Sequence, residues 1–154
     1  MLGFSLFGLF SGCGGQKRPT HSPQELTAVS IACGEMDRTY SYSFTARRDG
    51  ERWLFDADCF VHDFADEVTL RDVELAAEDV RSMLELFETG GYIASVEQHR
   101  TSRSGAVDGS VYSVCLTFSD GSRTVAALRL EDLEQLFYRL AEAGSDGTKP
   151  DSRT

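Results

Sequence analysis

Within residues 39–58, apolar and polar residues alternate on both sides of a single turn signal, Asp49-Gly50. No other stretch constrains the fold as tightly. An Asp-Gly pair suits the two central positions of a tight hairpin turn, where both residues take positive φ. A two-residue turn there sets Ala46 against Trp53, Phe44 against Phe55, Tyr42 against Ala57 and Tyr40 against Cys59, all on one face. Ser43 then faces Asp56, and Ser41 faces Asp58, on the other. Successive strand side chains point to opposite faces. The ribbon therefore has an apolar face that must be covered and a polar face that can stay wet. The aromatic set Tyr40, Tyr42, Phe44, Trp53 and Phe55 is read as core beneath a helix rather than as the lining of a ligand groove.

The rest of the chain fits the same plan. Residues 27–33 read as a strand with Val29, Ile31 and Cys33 on one face. Residues 67–75 read as another, with Val68, Leu70 and Val73 as its apolar positions. Residues 76–89 follow helical spacing through Ala76, Val80, Met83, Leu84 and Phe87. Glu78 and Asp79 suit the positive end of that helix, and Gly90-Gly91 stops it. Residues 92–97 read as a short strand (Tyr92, Ala94, Val96) and residues 98–109 as a loop. Residues 111–118 and 124–130 make a second hairpin about Asp120-Gly121. A two-residue turn sets Leu116 against Val125, whereas a three-residue turn with a glycine bulge sets Tyr112 against Leu128. The bulged form is favoured because it keeps Leu128 and Leu130 on the buried face. Residues 131–143 form the last helix, with a stripe of Leu133, Leu136, Phe137 and Leu140 and with Gly144 as its stop. The expected fold class is α+β: an antiparallel sheet of about five to six strands with two amphipathic helices packed on one face.

With 154 residues the chain is sized for one domain, placed at residues 25–143. Residues 1–24 read as an apolar, glycine-broken leader and flexible linker, and residues 144–154 as a disordered polar tail. Acids outnumber bases 25 to 15, and the expected domain holds 23 acids against 11 arginines. Such a surface repels phosphate backbones, which argues against nucleic acid as a partner. It attracts a basic protein or a divalent cation. Both lysines, Lys17 and Lys149, lie outside the domain, which excludes a Schiff-base or phosphate-loop lysine in its core. Asparagine is absent, and with it N-glycosylation and a Cys-His-Asn triad.

The pattern Ser41-Tyr42-Ser43-Phe44, the turn Asp49-Gly50, a middle helix, and then Asp108-Gly109-Ser110-Val111-Tyr112-Ser113-Val114 and Phe118-Ser119-Asp120-Gly121 resembles uncharacterised small α+β domains of anaerobic Gram-positive bacteria, often found behind a lipoprotein signal. The resemblance spans residues 27–143 and rests on strand and turn types. It implies a similar α+β fold and brings no activity and no functional residues with it.

Phe10-Ser11-Gly12-Cys13 also resembles a lipobox, which makes Cys13 a candidate for lipidation and membrane anchoring. Against this, no Lys or Arg precedes the short apolar stretch, and phenylalanine stands where leucine is usual. The expected location is either membrane-anchored and extracellular or cytoplasmic. The acidic stretch 56–79 is the expected binding surface, led by Asp56, Asp58, Asp63, Asp66 and Glu67. Asp56, Asp58 and His62 alternate to one strand face and form a candidate ligand set for a divalent metal. Cross-strand serines can instead hydrogen-bond the same carboxylates on a wet face. Cys33, Cys59 and Cys115 fall within strands, where cysteine is ordinarily a small buried apolar group. A Cys33–Cys59 bridge is conceivable only in an exported domain.

No nucleophile elbow, His-Glu-x-x-His or phosphate-binding glycine loop occurs, so no catalytic residue and no cofactor is assigned. The expected function is that of a non-catalytic acidic binding or accessory domain. The alternatives are an immunity-type protein that masks a basic toxin and a metal-dependent hydrolase built on Asp56, Asp58 and His62.

Overall fold

The computed structural model describes residues 19–35, 42–61, 65–100, 106–107 and 110–148. Four strands come first: β1 (Leu26–Glu35), β2 (Tyr42–Asp49), β3 (Arg52–Val61) and β4 (Asp66–Glu74). Two helices follow, α1 (Ala77–Gly90) and α2 (Tyr92–Gln98), then β5 (Ala106–Val107), β6 (Ser110–Phe118), β7 (Arg123–Ala126) and α3 (Glu131–Thr148). All pairings are antiparallel, in the order β4-β3-β2-β1-β6-β5. β5 and β7 share the edge of β6 that β1 leaves open, β5 beside Ser110 and Val111 and β7 beside residues 114–117. The chain is thus an α+β fold, an antiparallel sheet with its helices packed against it.

Strand alternation decides which side is covered. Val29, Ile31, Phe44, Ala46, Phe55, Ala57, Val114 and Leu116 all point inward and are buried. Against them lie Met83 and Phe87 of α1, Ile93 and Val96 of α2, and Leu133, Phe137 and Ala141 of α3, in one continuous core. Phe137 sits 5.8 Å from Phe44 and 5.3 Å from Phe55 between ring centroids, the range of favourable tilted and edge contacts.

The first hairpin is displaced by two residues from the expected register. Asp49 pairs with Arg52, Ala46 with Phe55 and Phe44 with Ala57, so Gly50-Glu51 forms the turn. Gly50 takes φ +64°, whereas Asp49 keeps a strand conformation. One leading glycine with positive φ is enough for this turn type. Asp49 instead meets the guanidinium of Arg52 at 3.1 Å across the strand ends. Because the strand period is two, the shift exchanges partners and leaves every side chain on its expected face. Thr45, not Ser43, now faces Asp56, and Ser43 faces Asp58.

The second hairpin takes the bulged register. Leu116 faces Thr124 and Val114 faces Ala126, with Gly121 at φ +85° closing a three-residue turn. β7 ends at Ala126, so Leu128 lies beyond the ladder, while Leu130 is buried.

Two further elements differ from expectation. Residues 92–98 form α2 instead of a strand. Gly91, at φ 62°, ends α1 in the left-handed conformation and redirects the chain into a new helix. Ile93 and Val96, one helical turn apart, are the buried pair there, rather than alternating Tyr92, Ala94 and Val96. α3 does not stop at Gly144 but continues to Thr148. A Cβ at Gly144 would lie 2.7 Å from Leu70 Cδ1, so the missing side chain is what lets α3 approach β4.

Cys33 and Cys59 are both buried and are not joined by a disulfide. β2 runs between their strands, and two strand spacings put them about 9–10 Å apart, beyond the reach of a disulfide.

Replacement of Phe137 with alanine removes the ring that joins α3 to the β2–β3 hairpin. The expected cost is about 3–5 kcal/mol in urea unfolding, against a change within about 0.5 kcal/mol for exposed Gln135→Ala.

Candidate functional site

Asp56 and Asp58 do share the outer face of the sheet, two residues apart on β3. What surrounds them is set by an irregularity in β4. Phe55 pairs with Val73 but Ala57 pairs with Leu70, so Asp56 is met by two residues, Arg71 and Asp72, where a regular ladder supplies one. Asp72 adopts φ 56°, a conformation that aspartate tolerates better than most residues. Its N–H donates to Asp56 Oδ1 at 2.8 Å. Arg47, on β2, donates to Asp56 Oδ2 at 2.5 Å and also to the Asp72 carboxylate. Partial burial opposes ionisation of Asp56, but the Arg47 and Asp72 hydrogen bonds outweigh it and hold the carboxyl below its ordinary range. One register step away, Arg71 clasps Asp58 with bonds of 3.0 and 2.8 Å.

Both carboxylates are therefore committed to arginines. A metal ion at this face would have to displace guanidinium groups before it found two ligands. No group of three or more metal-ligating side chains occurs among the described residues. His62, Asp63 and Cys13 lie outside the described residues. Asp66 and Glu67 begin β4, where Glu67 is exposed opposite Phe60. Towards β7 the outer face continues as Thr45, Ser30 and Cys115, aligned by the ladders, with Ser30 and Thr45 hydroxyls 3.0 Å apart.

The acid excess lies elsewhere, on the helical layer. α1 carries Glu78, Asp79, Glu85 and Glu88 against Arg81, and α3 carries Glu131, Asp132, Glu134, Glu142 and Asp146 against Arg139. Glu85 of α1 and Asp132 of α3 line a common furrow between the two helices.

Glu134 is the exception on this layer, because it points into the protein and is 9 % exposed. The Tyr42 hydroxyl donates to its Oε2 at 2.8 Å, and Arg129 reaches both oxygens at 3.0 and 3.1 Å. The Arg129 guanidinium also stands 5.2 Å from the centre of the Tyr112 ring. Burial and the neighbouring carboxylate push the Tyr42 hydroxyl well above its ordinary range, so it stays a neutral donor. This buried clasp ties α3 to β2. A glutamate within an apolar helical stripe signals it in the sequence only once the arginine five residues earlier is read with it. Burial likewise pushes the Cys59 thiol up to about 11, far from a reactive thiolate.

A Ser, a His and an Asp also meet, at the β6–β7 turn. His21 stacks on Phe118 with ring centroids 4.0 Å apart, and its Nε2 lies 2.8 Å from Asp120 Oδ2 and 3.2 Å from Ser122 Oγ. The arrangement is not that of an activated serine. Asp120 and Ser122 crowd the same ring nitrogen, and the Ser122 hydroxyl donates to Asp120 Oδ1 at 2.5 Å, away from any nucleophilic role. Nδ1 is taken by Thr20 Oγ1 at 2.9 Å. The cluster pins the chain ahead of β1 to the turn. The Asp120 hydrogen bond raises the His21 pKa despite some loss of solvation.

Two titrations follow. Asp56→Asn should cost about 1–2 kcal/mol at neutral pH through loss of charge-assisted bonding. Because the folded-state pKa is lowered, the ionised group's contribution is present above its unfolded pKa and lost as pH falls through its folded pKa. Wild type and variant should therefore converge in acid urea melts, and a gap that stays constant with pH would show that the charge is not its source. His21 has the opposite sign: its raised pKa stabilises below the unfolded value, and the effect fades as pH rises through the folded one. Its imidazole NMR resonances should titrate above 6.5 and return towards that value in Asp120→Asn.

Compared with known proteins, the chain matches no family model, no curated protein and no solved structure.

Proposed function

We propose that this protein is a non-catalytic binding or accessory domain that engages a basic protein partner through its helical layer. The observation that carries this reading is how the charge is distributed. On the outer sheet face Arg47 and Arg71 answer Asp56, Asp72 and Asp58. On α1 and α3, eight acids besides the buried Glu134 stand against Arg81 and Arg139, with Arg129 beside Glu131 just ahead of α3. The acidic surface expected around Asp56 and Asp58 is thus displaced in this reading to the opposite side of the molecule, where the carboxylates of Glu78, Glu85 and Glu88 are exposed.

A concentrated field of one sign accelerates encounter with an oppositely charged partner and rejects like-charged ones more than it adds affinity. It also gives the contact a steep dependence on ionic strength, because exposed charges are screened within about 8 Å at physiological salt. The geometry at Asp56 and Asp58 favours this reading over a metal-dependent hydrolase, since each carboxylate already accepts hydrogen bonds from an arginine.

The test is affinity capture from the native cell at low and at raised salt, with the wild-type chain and with Glu85→Lys/Glu88→Lys. Both substitutions are at exposed positions in the last turns of α1, where lysine is favoured by the helix dipole. A basic protein should be retained by the wild type, released by salt and lost with the double variant. If the captured protein is not basic, or binds the variant equally well, the reading fails.

A further inference from the structure

A groove of about 520 Å³ opens at the end of the sheet that carries the Gly50-Glu51 turn. Its floor is Trp53, the only tryptophan in the chain and 7 % exposed. Leu26 closes one side, and Val80 and Leu84 of α1 close another. The rim carries Arg48 and Arg52 together with Glu51 and Glu74. We propose that this groove binds the carboxyl-terminal end of a peptide whose last residue is large and apolar.

Three features support that ligand. The Trp53 indole N–H has no acceptor among the described residues, yet no buried side-chain nitrogen or oxygen there is left unpaired. The N–H therefore meets solvent, and Trp53 lines the groove. It is a donor awaiting an acceptor at the bottom of an apolar cleft. Arg48 projects beside it, since the two residues are direct partners across β2 and β3. The Arg48 Nε donates to the Gly50 carbonyl at 3.0 Å, and its terminal nitrogens have no carboxylate partner among the described residues. The outer edge of that guanidinium, fixed beside the indole by the ladder, is open to a carboxylate arriving in the groove. Finally, Trp53 with Leu26, Val80 and Leu84 gives the groove an apolar floor and walls, which suit a large apolar side chain.

The carboxylates on the rim decide between a peptide and a simple fatty acid. Arg52 lies 3.1 Å from Asp49 and 3.9 Å from Glu74, and both Arg52 and Glu74 line the mouth of the groove. Glu51 and Glu74 are acceptors for the N–H groups of a peptide main chain, whereas an alkyl acid has no donor to offer them. The groove is also of a size that takes a few side chains. A peptide end thus supplies the carboxylate for Arg48, a carbonyl for Trp53, amides for the rim glutamates and an apolar side chain for the floor. This ligand is independent of the basic partner proposed above, and either can fail without the other.

Because Trp53 is the single indole, its fluorescence reports directly on the groove. The full chain is titrated with N-acetyl-Leu-Phe, with its carboxyl-terminal amide, and with octanoate. A saturable change is expected with the free acid, with the amide weaker by about tenfold, as loss of one charge-assisted contact requires. Arg48→Gln should remove the preference for acid over amide, and Arg81→Gln, an exposed arginine of α1 that does not line the groove, should keep it. The proposal is overturned if no saturable change appears up to roughly 10 mM, or if acid and amide titrate alike. It is equally overturned if Arg48→Gln leaves the preference intact, or if octanoate binds as tightly as the dipeptide.

Discussion

Phe137 lies against Phe44 and Phe55, and through that contact the last helix of the chain covers its first hairpin. An antiparallel sheet with one apolar face cannot stand uncovered, and each aromatic ring on that face has a large area to bury. Once Phe137 is seated, Leu133 and Ala141 follow on the same stripe, one turn to either side, and both are fully buried. Further along, α3 passes close over β4, with Gly144 against the Leu70 side chain. The helix also brings Glu134 beneath itself, against Tyr42. Taking that carboxylate out of water is costly unless its lone pairs are satisfied. Arg129 and the Tyr42 hydroxyl together satisfy them. The clasp is directional where ring packing is not, so it selects one rotation of α3 over the sheet.

Charge in this molecule is sorted by layer. The sheet's outer face keeps its acids close to arginines, and the β4 irregularity at Asp72 is what lets Arg47 and Asp56 meet a third partner. The helices carry most of the unbalanced acid. Between these layers, at the turn end of the sheet, Arg48 and the Trp53 N–H have no acceptor among the described residues beyond the Gly50 carbonyl. The acidic helices and the groove, where Arg48 lies beside an apolar floor, are two different kinds of surface. One is long-ranged and sensitive to salt, the other short-ranged and shaped.

Faces were legible in the sequence, while partners were less so. Alternation through Phe44, Ala46, Phe55 and Ala57 assigned every inward side chain of β2 and β3 correctly, even though the turn lies one residue later than the Asp-Gly pair suggests. The glycine bulge at Gly121 was readable because two apolar residues depended on it. Residues 92–98 misled because a short apolar run fits either period, and only packing of Ile93 and Val96 under the sheet chooses helix. Gly144 misled because glycine serves both as a helix stop and as a close-contact residue. Trp53 was assigned to the core and is indeed nearly buried, but its one exposed edge is the floor of the groove. Arg47 and Arg71 were visible as basic residues near an acidic stretch. That Asp72 joins Arg47 at Asp56 depends on a strand irregularity with no marker beyond the aspartate itself.

The sequence by itself determined the fold class, the inward face of each long strand and the stripes of α1 and α3, since each follows from a local period that neighbouring residues enforce on one another. Tertiary structure alone decided the strand partners, the burial of Glu134, the separation of Cys33 from Cys59 and the pairing of the Asp56 carboxylate. A strand moved by two residues keeps all its faces and changes all its neighbours, so local pattern is blind to that choice. Contacts between segments far apart in the chain have to make it.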